Sequence, residues 1–492
     1  MDQTTQGRGP SGGRKRRLLA AVDGALGRKA LRHVSRDRKF YGALFSLAVP
    51  MVAQNLVNNS LGMVDTLMVG RLGEESLGGV ALANTVFFVV TLVCFGLQSG
   101  GSVLMSQYWG KRDHYAINRI LGIGLRISAA FSVLVAAAVI AAPERIYALT
   151  SNEPALVGVA ARYARIVAFS VALNSITMLY IAAQRSMGNT RLGMSVLMVS
   201  MASNTFMNWV LIFGNLGFPA LGVEGAAIAT LAARVIEFAL TAFYALRLSS
   251  FRLNARAILR PGAAMFKDFL RFSMPVVGNE AMWGVGFSLY AVILGHMANA
   301  VEGVAAYTIT LSVERMLSAV CFGVGSAAAV LVGNPLGAGD MEGARTAGTT
   351  MLAVTTAFGA VSGALMLALS VAVVTPHVLP WFASSSETLR IGGFMLVMLS
   401  LMTPLRAFNF CCIVGILRAG GDVRAGMFID VACVYAVALP LAALAGLVAG
   451  APVTLVYVCI CMEDVVKVFL CFWRFRQKKW LRNVTREMAG NI

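Results

Sequence analysis

Twelve apolar stretches, each long enough to cross a lipid bilayer, punctuate this sequence at approximately 42–70, 77–106, 115–142, 155–184, 192–214, 222–246, 266–295, 303–332, 344–374, 388–416, 425–448 and 452–473. A bilayer core about 30 Å thick needs about 20 apolar residues in helical form. Backbone polar groups find no partner in hydrocarbon, so only helices or closed barrels cross it. The stretches are rich in Gly and Ala and lack the alternation of a barrel strand. Hydrophobic residues make up 58% of the 492 positions and charged residues 13%, against roughly 25% charged in an ordinary soluble domain. Mean hydropathy is +0.74. A soluble enzyme, a disordered scaffold and a single-pass receptor are excluded. The expected fold class is an all-α polytopic membrane protein of about twelve transmembrane helices.

The net charge of +18 reads as a topology signal. The first 39 residues, the even-numbered connections and the C-terminus hold 31 of the 41 Lys and Arg, Arg185, Arg191, Arg418 and Arg424 among them. The odd connections hold Arg71, Arg145 and Arg390 beside seven Glu. The positive-inside rule then puts both termini in the cytoplasm of a multi-pass plasma-membrane protein and accounts for the charge without nucleic acid. The basic run Arg14–Arg17 precedes too few apolar residues for a signal peptide. Residues 1–39 are expected to form a cytoplasmic tail that can touch anionic lipid, with a short amphipathic helix near Leu26–Val34.

The two halves repeat. Phe45, Ser46 and Pro50 return as Phe272, Ser273 and Pro275. Cys94-Phe95-Gly96 returns as Cys321-Phe322-Gly323, and Gly110 with Asp113 returns as Gly337 with Asp340, all at an offset of 227 except the prolines. The run from Arg185 to Met194 returns from Arg418 to Met427 at an offset of 233. Each unit holds six spans, so both copies enter from the same side, giving a parallel repeat with a pseudo-twofold axis along the membrane normal. The expected organisation is a basic tail (1–39), a six-helix lobe (40–246), a cytoplasmic linker (247–265), a second six-helix lobe (266–475) and a basic C-terminus (476–492).

An ionisable side chain within a span is costly and marks a functional position by default. Asp65 has no Lys or Arg at helical spacing, and serves either as a switchable carboxylate in a wet cavity or as a bundle tether. Asn204 and Asn208 share a helix face and suit either Na⁺ ligation or interhelical hydrogen bonds. Glu280 shares a face with Trp283 and Phe287, a setting for an organic cation through charge and cation–π contact. Tyr307 and Glu314 share another face, for coupling or for an interhelical ion pair. Arg234 with Glu237, and Glu463 and Asp464 with Lys467, are spaced to pair; Asp430 has no local partner. The eight cysteines lie in apolar runs and read as buried packing residues. No metal-protease, hydrolase or phosphate-loop motif occurs, so the chain reads as a non-enzyme without cofactor or metal, driven by an ion gradient.

These residues resemble the multidrug and toxic compound extrusion (MATE) transporters, a prokaryotic branch in particular. The matching pieces are Pro50, Val64-Asp65-Thr66, Val69-Gly70-Arg71-Leu72-Gly73, Ser106-Gln107, Arg185 with Gly188-Asn189-Thr190, Asn204 with Asn208-Trp209, Gly222-Val223, Asn279-Glu280 with Trp283, and Glu314-Arg315. The resemblance covers about residues 40–475. It implies a monomeric, two-lobe antiporter that exports drugs or organic cationic or amphipathic metabolites in exchange for Na⁺ or H⁺ by alternating access. It assigns coupling to Asp65, Asn204, Asn208, Glu280 and Glu314. Substrate contact falls to Asp65, Glu280, Trp283, Phe287, Tyr307 and Asn409, and helix kinks to Pro50 and Pro275. Some members carry Asp where this chain has Asn208, and span ten offers Arg406 and Asn409 but no acid. The alternative is a flippase for a lipid-linked anionic precursor, whose basic cavity would draw on Arg126, Arg162, Arg165, Arg315 and Arg406.

Overall fold

In the computed structural model, the described residues are 34–378 and 385–486, apart from residue 36. The basic run Arg14–Arg17, and all but the end of the expected helix near Leu26–Val34, lie outside them. Among the described residues, eleven helices are long and apolar enough to cross a membrane: α1 (Arg38–Gly70), α2 (Glu74–Gly110), α3 (His114–Ala141), α4 (Pro154–Ser186), α5 (Arg191–Phe213), α6 (Gly222–Leu248), α7 (Ala263–Gly295), α8 (Ala300–Gly337), α9 (Met341–Ala372), α10 (Ser386–Leu417) and α11 (Val423–Val448). A twelfth, α12 (Val453–Arg476), is as long but carries Glu463, Asp464 and Lys467 in its middle. The repeat noted in sequence marks equivalent helix boundaries. Asp113 and Asp340 are N-caps of α3 and α9, each accepting a hydrogen bond from the backbone N–H three residues on, at 2.9 and 2.8 Å, which satisfies a donor the first turn leaves open.

Four apolar cores stack as two per lobe, and two helices exchange between them. Leu44, Leu47, Ala48 and Met51 of α1 pack into the core of the second lobe, with Met351 of α9 and Ile416 of α10. Further along, Val69 of the same helix belongs to the first lobe, with Tyr147 and Ile212. Helix α7 does the converse. Its Met265, Phe269, Phe272 and Val276 pack with Leu97 and Ile120 of the first lobe, and its Tyr290, Ile293 and Leu294 with Tyr457 of the second. Pro50 and Pro275 fall inside these helices, each immediately before contacts with the opposite lobe at Met51 and Val52 or at Val276 and Val277. Proline removes an i→i−4 hydrogen bond and crowds the preceding turn, so each helix is interrupted where it passes from one core to the other. The chain-order boundaries 40–246 and 266–475 therefore do not coincide with the packing at the starts of α1 and α7.

Small residues let these helices touch. A methyl group added at Gly96 of α2 would lie 2.6 Å from the Cα of Val277 in α7, and one at Gly323 of α8 would lie 2.6 Å from the Val52 side chain in α1. The two contacts are pseudo-twofold counterparts. A second reciprocal pair closes the face where α1 begins and α12 ends, where Gly110 sits against the Asn334 carbonyl and Gly337 against the Gln107 carbonyl. Lipid offers no hydrophobic drive between helices, so such close approach supplies the van der Waals contact that holds them.

The chain after α12 is seated on this face. Trp480 is buried, stacked on Phe475 at 5.3 Å, with its Nε1 donating to the Phe475 carbonyl at 3.1 Å. Gln107 of α2 donates to the carbonyls of Ala419 and Arg482 at 2.8 and 3.2 Å and accepts from the Val484 N–H at 2.8 Å. Arg486 grips Asp268 of α7 with two bonds, at 2.5 and 2.7 Å. Residues 477–486 thus bind helices of both lobes.

Replacing Gly337 by Ala is expected to lower the melting temperature of the purified protein sharply. Gly158→Ala, where nothing lies within 4 Å of the added methyl, should stay within about 0.5 kcal/mol of wild type. Equal melting temperatures for the two variants would refute the close-approach argument. Trp480→Ala removes a buried indole and should cost about 3–5 kcal/mol, read by the same measurement.

Candidate functional site

Each lobe encloses a cavity, and the two differ in how they hold charge. The first-lobe cavity is about 510 Å³ and is lined by Asp65, Tyr163, Asn174, Arg185, Thr230 and Arg234 among others. Asp65 lies near the end of α1, partly exposed to this space. Its Oδ1 accepts from Nδ2 of Asn208 at 2.6 Å, and the same Nδ2 is 3.0 Å from Oδ1 of Asn204. Helical spacing of four on α5 stacks the two amides behind the carboxylate, and both are buried. Asn208 Oδ1 has no hydrogen-bond partner. Asp65 is thus held by a neutral amide while it lines the cavity. Arg234, the guanidinium in the same wall, is bound to Glu237 at 2.7 Å, as its spacing indicates, and Glu237 also accepts from Ser200 at 3.2 Å.

The second-lobe cavity is smaller, about 140 Å³, and its walls carry a network of acids and bases. Glu280 of α7 pairs with Arg418 at 2.9 Å. Glu314 of α8 pairs with Arg406 of α10 at 2.5 Å, and Arg406 reaches Asp464 of α12 at 2.8 Å. Lys467 bonds Asp430 of α11 at 2.7 Å and lies 3.8 Å from Glu463, which also accepts from Tyr290 at 2.7 Å. Asp430, without a local partner in sequence, finds one across the bundle and accepts from Asn279 at 3.0 Å. Five carboxylates and three cations therefore line or adjoin one cavity.

Placement of the remaining candidates is mixed. Trp283 and Phe287 line the second-lobe cavity with ring centroids 4.3 Å apart. Asn409 lines it too, donating to the Asp464 carbonyl at 2.9 Å and leaving its Oδ1 unpaired. Tyr307 is buried against Tyr457, 6.4 Å between centroids, and borders neither lobe's cavity. Glu280, expected to meet an organic cation beside the rings, is engaged by Arg418. That arginine, read as a connection charge, turns inward from the end of α10 and is 4% exposed. Arg185, read the same way, lines the first-lobe cavity. The repeated run beginning at both arginines was the signal for them, masked because their position at span ends suits topology equally well.

The arginines a flippase cavity would use are mostly engaged elsewhere. Arg162 pairs with Glu224 at 3.6 Å and Arg165 with Glu144 at 2.7 Å, both on exposed surface. Arg126 donates to the Ile258 carbonyl. Of the five, Arg406 alone lines either lobe's cavity, and it is neutralised there.

Comparison with known proteins agrees with this architecture. A family model described as MatE matches residues 50–210 and 275–444, one block in each lobe. The probable multidrug resistance protein NorM of Mesorhizobium japonicum is 29% identical over 349 residues, covering 68% of this chain and 71% of that protein. The protein of the same name from Thermotoga maritima is 26% identical over 299 residues; the match spans 61% of this chain and 64% of the relative, just under two thirds of its length. A solved structure described as the outward-facing conformation of a multidrug resistance MATE family transporter of the MOP superfamily superposes with a TM-score of 0.81 at 18% identity, covering 90% of this chain and 98% of the other. The paired six-helix lobes, the cavity in each and the two-block match together place this chain in the MatE family, the multidrug and toxic compound extrusion transporters, so it is a multi-pass membrane transporter and not an enzyme.

Proposed function

We propose that this protein is a secondary active exporter that moves small organic, amphipathic molecules across the cytoplasmic membrane in exchange for Na⁺ or H⁺. It works as a monomer without a cofactor, both termini facing the cytoplasm as the distribution of Lys and Arg indicates. The observation that carries the reading is Asp65, a carboxylate open to a 510 Å³ cavity and tethered only by an amide at 2.6 Å. An ionised acid so placed has no counter-charge bonded to it, and a proton or a cation would supply one. The multidrug names of the relatives support a small-molecule cargo.

Coupling follows from where the acid sits. A cation on Asp65 neutralises the end of α1, and α1 packs on both lobes. The change at Asp65 therefore biases a helix that holds the two halves together. It does so only to the extent that the cation binds one arrangement more tightly than the other. In the second lobe Glu280 is the corresponding acid, and a proton taken there would release Arg418.

Asp65→Asn should reduce gradient-driven efflux of a fluorescent substrate by about tenfold or more, equivalent to at least 1.4 kcal/mol of barrier, at unchanged expression. Proteoliposomes under a Na⁺ gradient or a pH gradient would identify the ion. Wild-type efflux by the Asn variant under both gradients would sink the assignment. Glu280→Gln or Arg418→Gln alone leaves a buried charge unpaired, at a cost of about 3–5 kcal/mol, whereas the double variant removes both. The double variant should therefore melt above either single one, and a strictly additive loss would show that the pair is not coupled.

A further inference from the structure

Arg185 and Arg418 occupy equivalent places in the two repeats, yet only one of them has a counter-ion. The sequence offset relates Phe95 to Phe322, Ser99 to Ser326 and Arg185 to Arg418. Phe95, both serines and both arginines line a single pocket of about 50 Å³ between the lobes, so it lies on the pseudo-twofold axis. Each arginine also faces its own lobe's cavity, Arg185 the 510 Å³ space and Arg418 the 140 Å³ one.

Their electrostatic settings diverge. Arg418 is bonded to Glu280 at 2.9 Å and donates to Ser99 of the opposite lobe at 3.2 Å. Among the described residues, Arg185 has no carboxylate within 4.0 Å, and its guanidinium makes no hydrogen bond. The reason is legible in α1. The repeat offset of 225 to 227 carries Glu280 onto Ala53, Gln54 or Asn55, and both amides line the first-lobe cavity. The acid of this cavity, Asp65, sits near the far end of α1 and is held by Asn208. Arg185 is the penultimate residue of α4, at the opposite end of the same space. A guanidinium withdrawn from bulk water with a neutral residue in its partner's place favours an anion, and its planar fork suits a carboxylate bidentately.

We propose that Arg185 is an anion-binding residue of the first-lobe cavity and that the molecules carried include organic carboxylates, whose negative group supplies the counter-charge that Glu280 supplies to Arg418. The ligand's status as cargo rests on the transport reading above; the anion site does not. A substrate bearing both an ammonium and a carboxylate would engage Asp65 and Arg185 at the two ends of one cavity.

The test is equilibrium binding to the purified full-length protein, which needs no ion gradient and so fails independently of the transport reading. The probes are a xanthene dye with a free carboxylate and its ethyl ester, which differ only in that charge. Wild type should bind the acid more tightly than the ester in buffer without added halide. Arg185→Gln should weaken the acid about tenfold or more, the loss expected of one charge-assisted pair, and leave the ester unchanged. Arg185→Lys should keep part of the preference. Equal affinity of wild type for acid and ester overturns the proposal, as does a Gln variant that loses both dyes equally or keeps the preference. If added chloride abolishes the preference while ester binding is unchanged, the ligand is the inorganic anion and the organic-carboxylate assignment is overturned. Should the Gln variant fail to fold, the wild-type comparison and the Lys variant decide the question.

Discussion

The exchange of α1 and α7 between the lobes is the constraint from which the rest of the arrangement follows. Each helix spends its first half in the other lobe's core and its second half in its own. The lobes therefore cannot separate without unpacking Met51 or Val276, and bending of these helices is a route by which they can move relative to one another. The prolines at 50 and 275 lie at the crossing, where the hydrogen-bond ladder is already broken. Close approach of Gly96 to Val277 and of Gly323 to Val52 lets the crossing helices run against their neighbours without intervening side chains. In lipid this packing substitutes for the hydrophobic drive a soluble core would have.

Within that frame the two lobes treat charge in opposite ways. The first lobe holds its cavity acid, Asp65, by the Asn208 amide and pairs Arg234 with Glu237 beside it. The second ties Glu280, Glu314, Asp430, Glu463 and Asp464 to Arg418, Arg406 and Lys467. A buried ion network is weak evidence for stability, since desolvation of each ion offsets much of the attraction. Its consequence is that no member can be neutralised singly without stranding a partner. A single proton is accommodated more easily at Asp65, whose hydrogen-bond partner is the Asn208 amide and whose wall-mate Arg234 is already paired with Glu237.

Much of the fold was legible because its determinants are local. Span length and the repeat of Gly110 with Asp113 are properties of short windows, and the structure gives them direct meaning as helices, caps and helix contacts. Site residues were legible one at a time but not in their pairings. The sequence does not name a partner for Glu280, because that partner is 138 residues away, and Asp430 reads as unpaired because Lys467 is on another helix. Tyr307 shares a helical face with Glu314, yet a turn or two along that face the environment changes from cavity to packed core. The seat of the C-terminal segment escaped for the same reason. Basic residues near Trp480 suggest a solvated tail, while Gln107, which binds that segment, looks in sequence like one more polar residue at a span end.

The repeat adds an argument that neither lobe supplies alone. Duplication places equivalent side chains about the axis, so a difference between equivalent positions is informative in a way that either position by itself is not. Arg185 and Arg418 share an origin in the repeat and a common pocket, and they differ in the residue opposite, Glu280 on α7 against an uncharged stretch of α1. Where one lobe satisfies its arginine internally, the first-lobe cavity keeps a positive end beside Arg185 and a negative end at Asp65. A ligand that fills only one end leaves the other charge to water. One that fills both exchanges two hydrated charges for two paired ones, and its affinity then depends on the lobe geometry that sets their separation. Movement of α1 carries Asp65 while Arg185 is anchored on α4, so a bend at Pro50 alters that separation. Differential affinity between two arrangements, the only means by which a ligand shifts a conformational equilibrium, is thereby built into the placement of two charges on two helices.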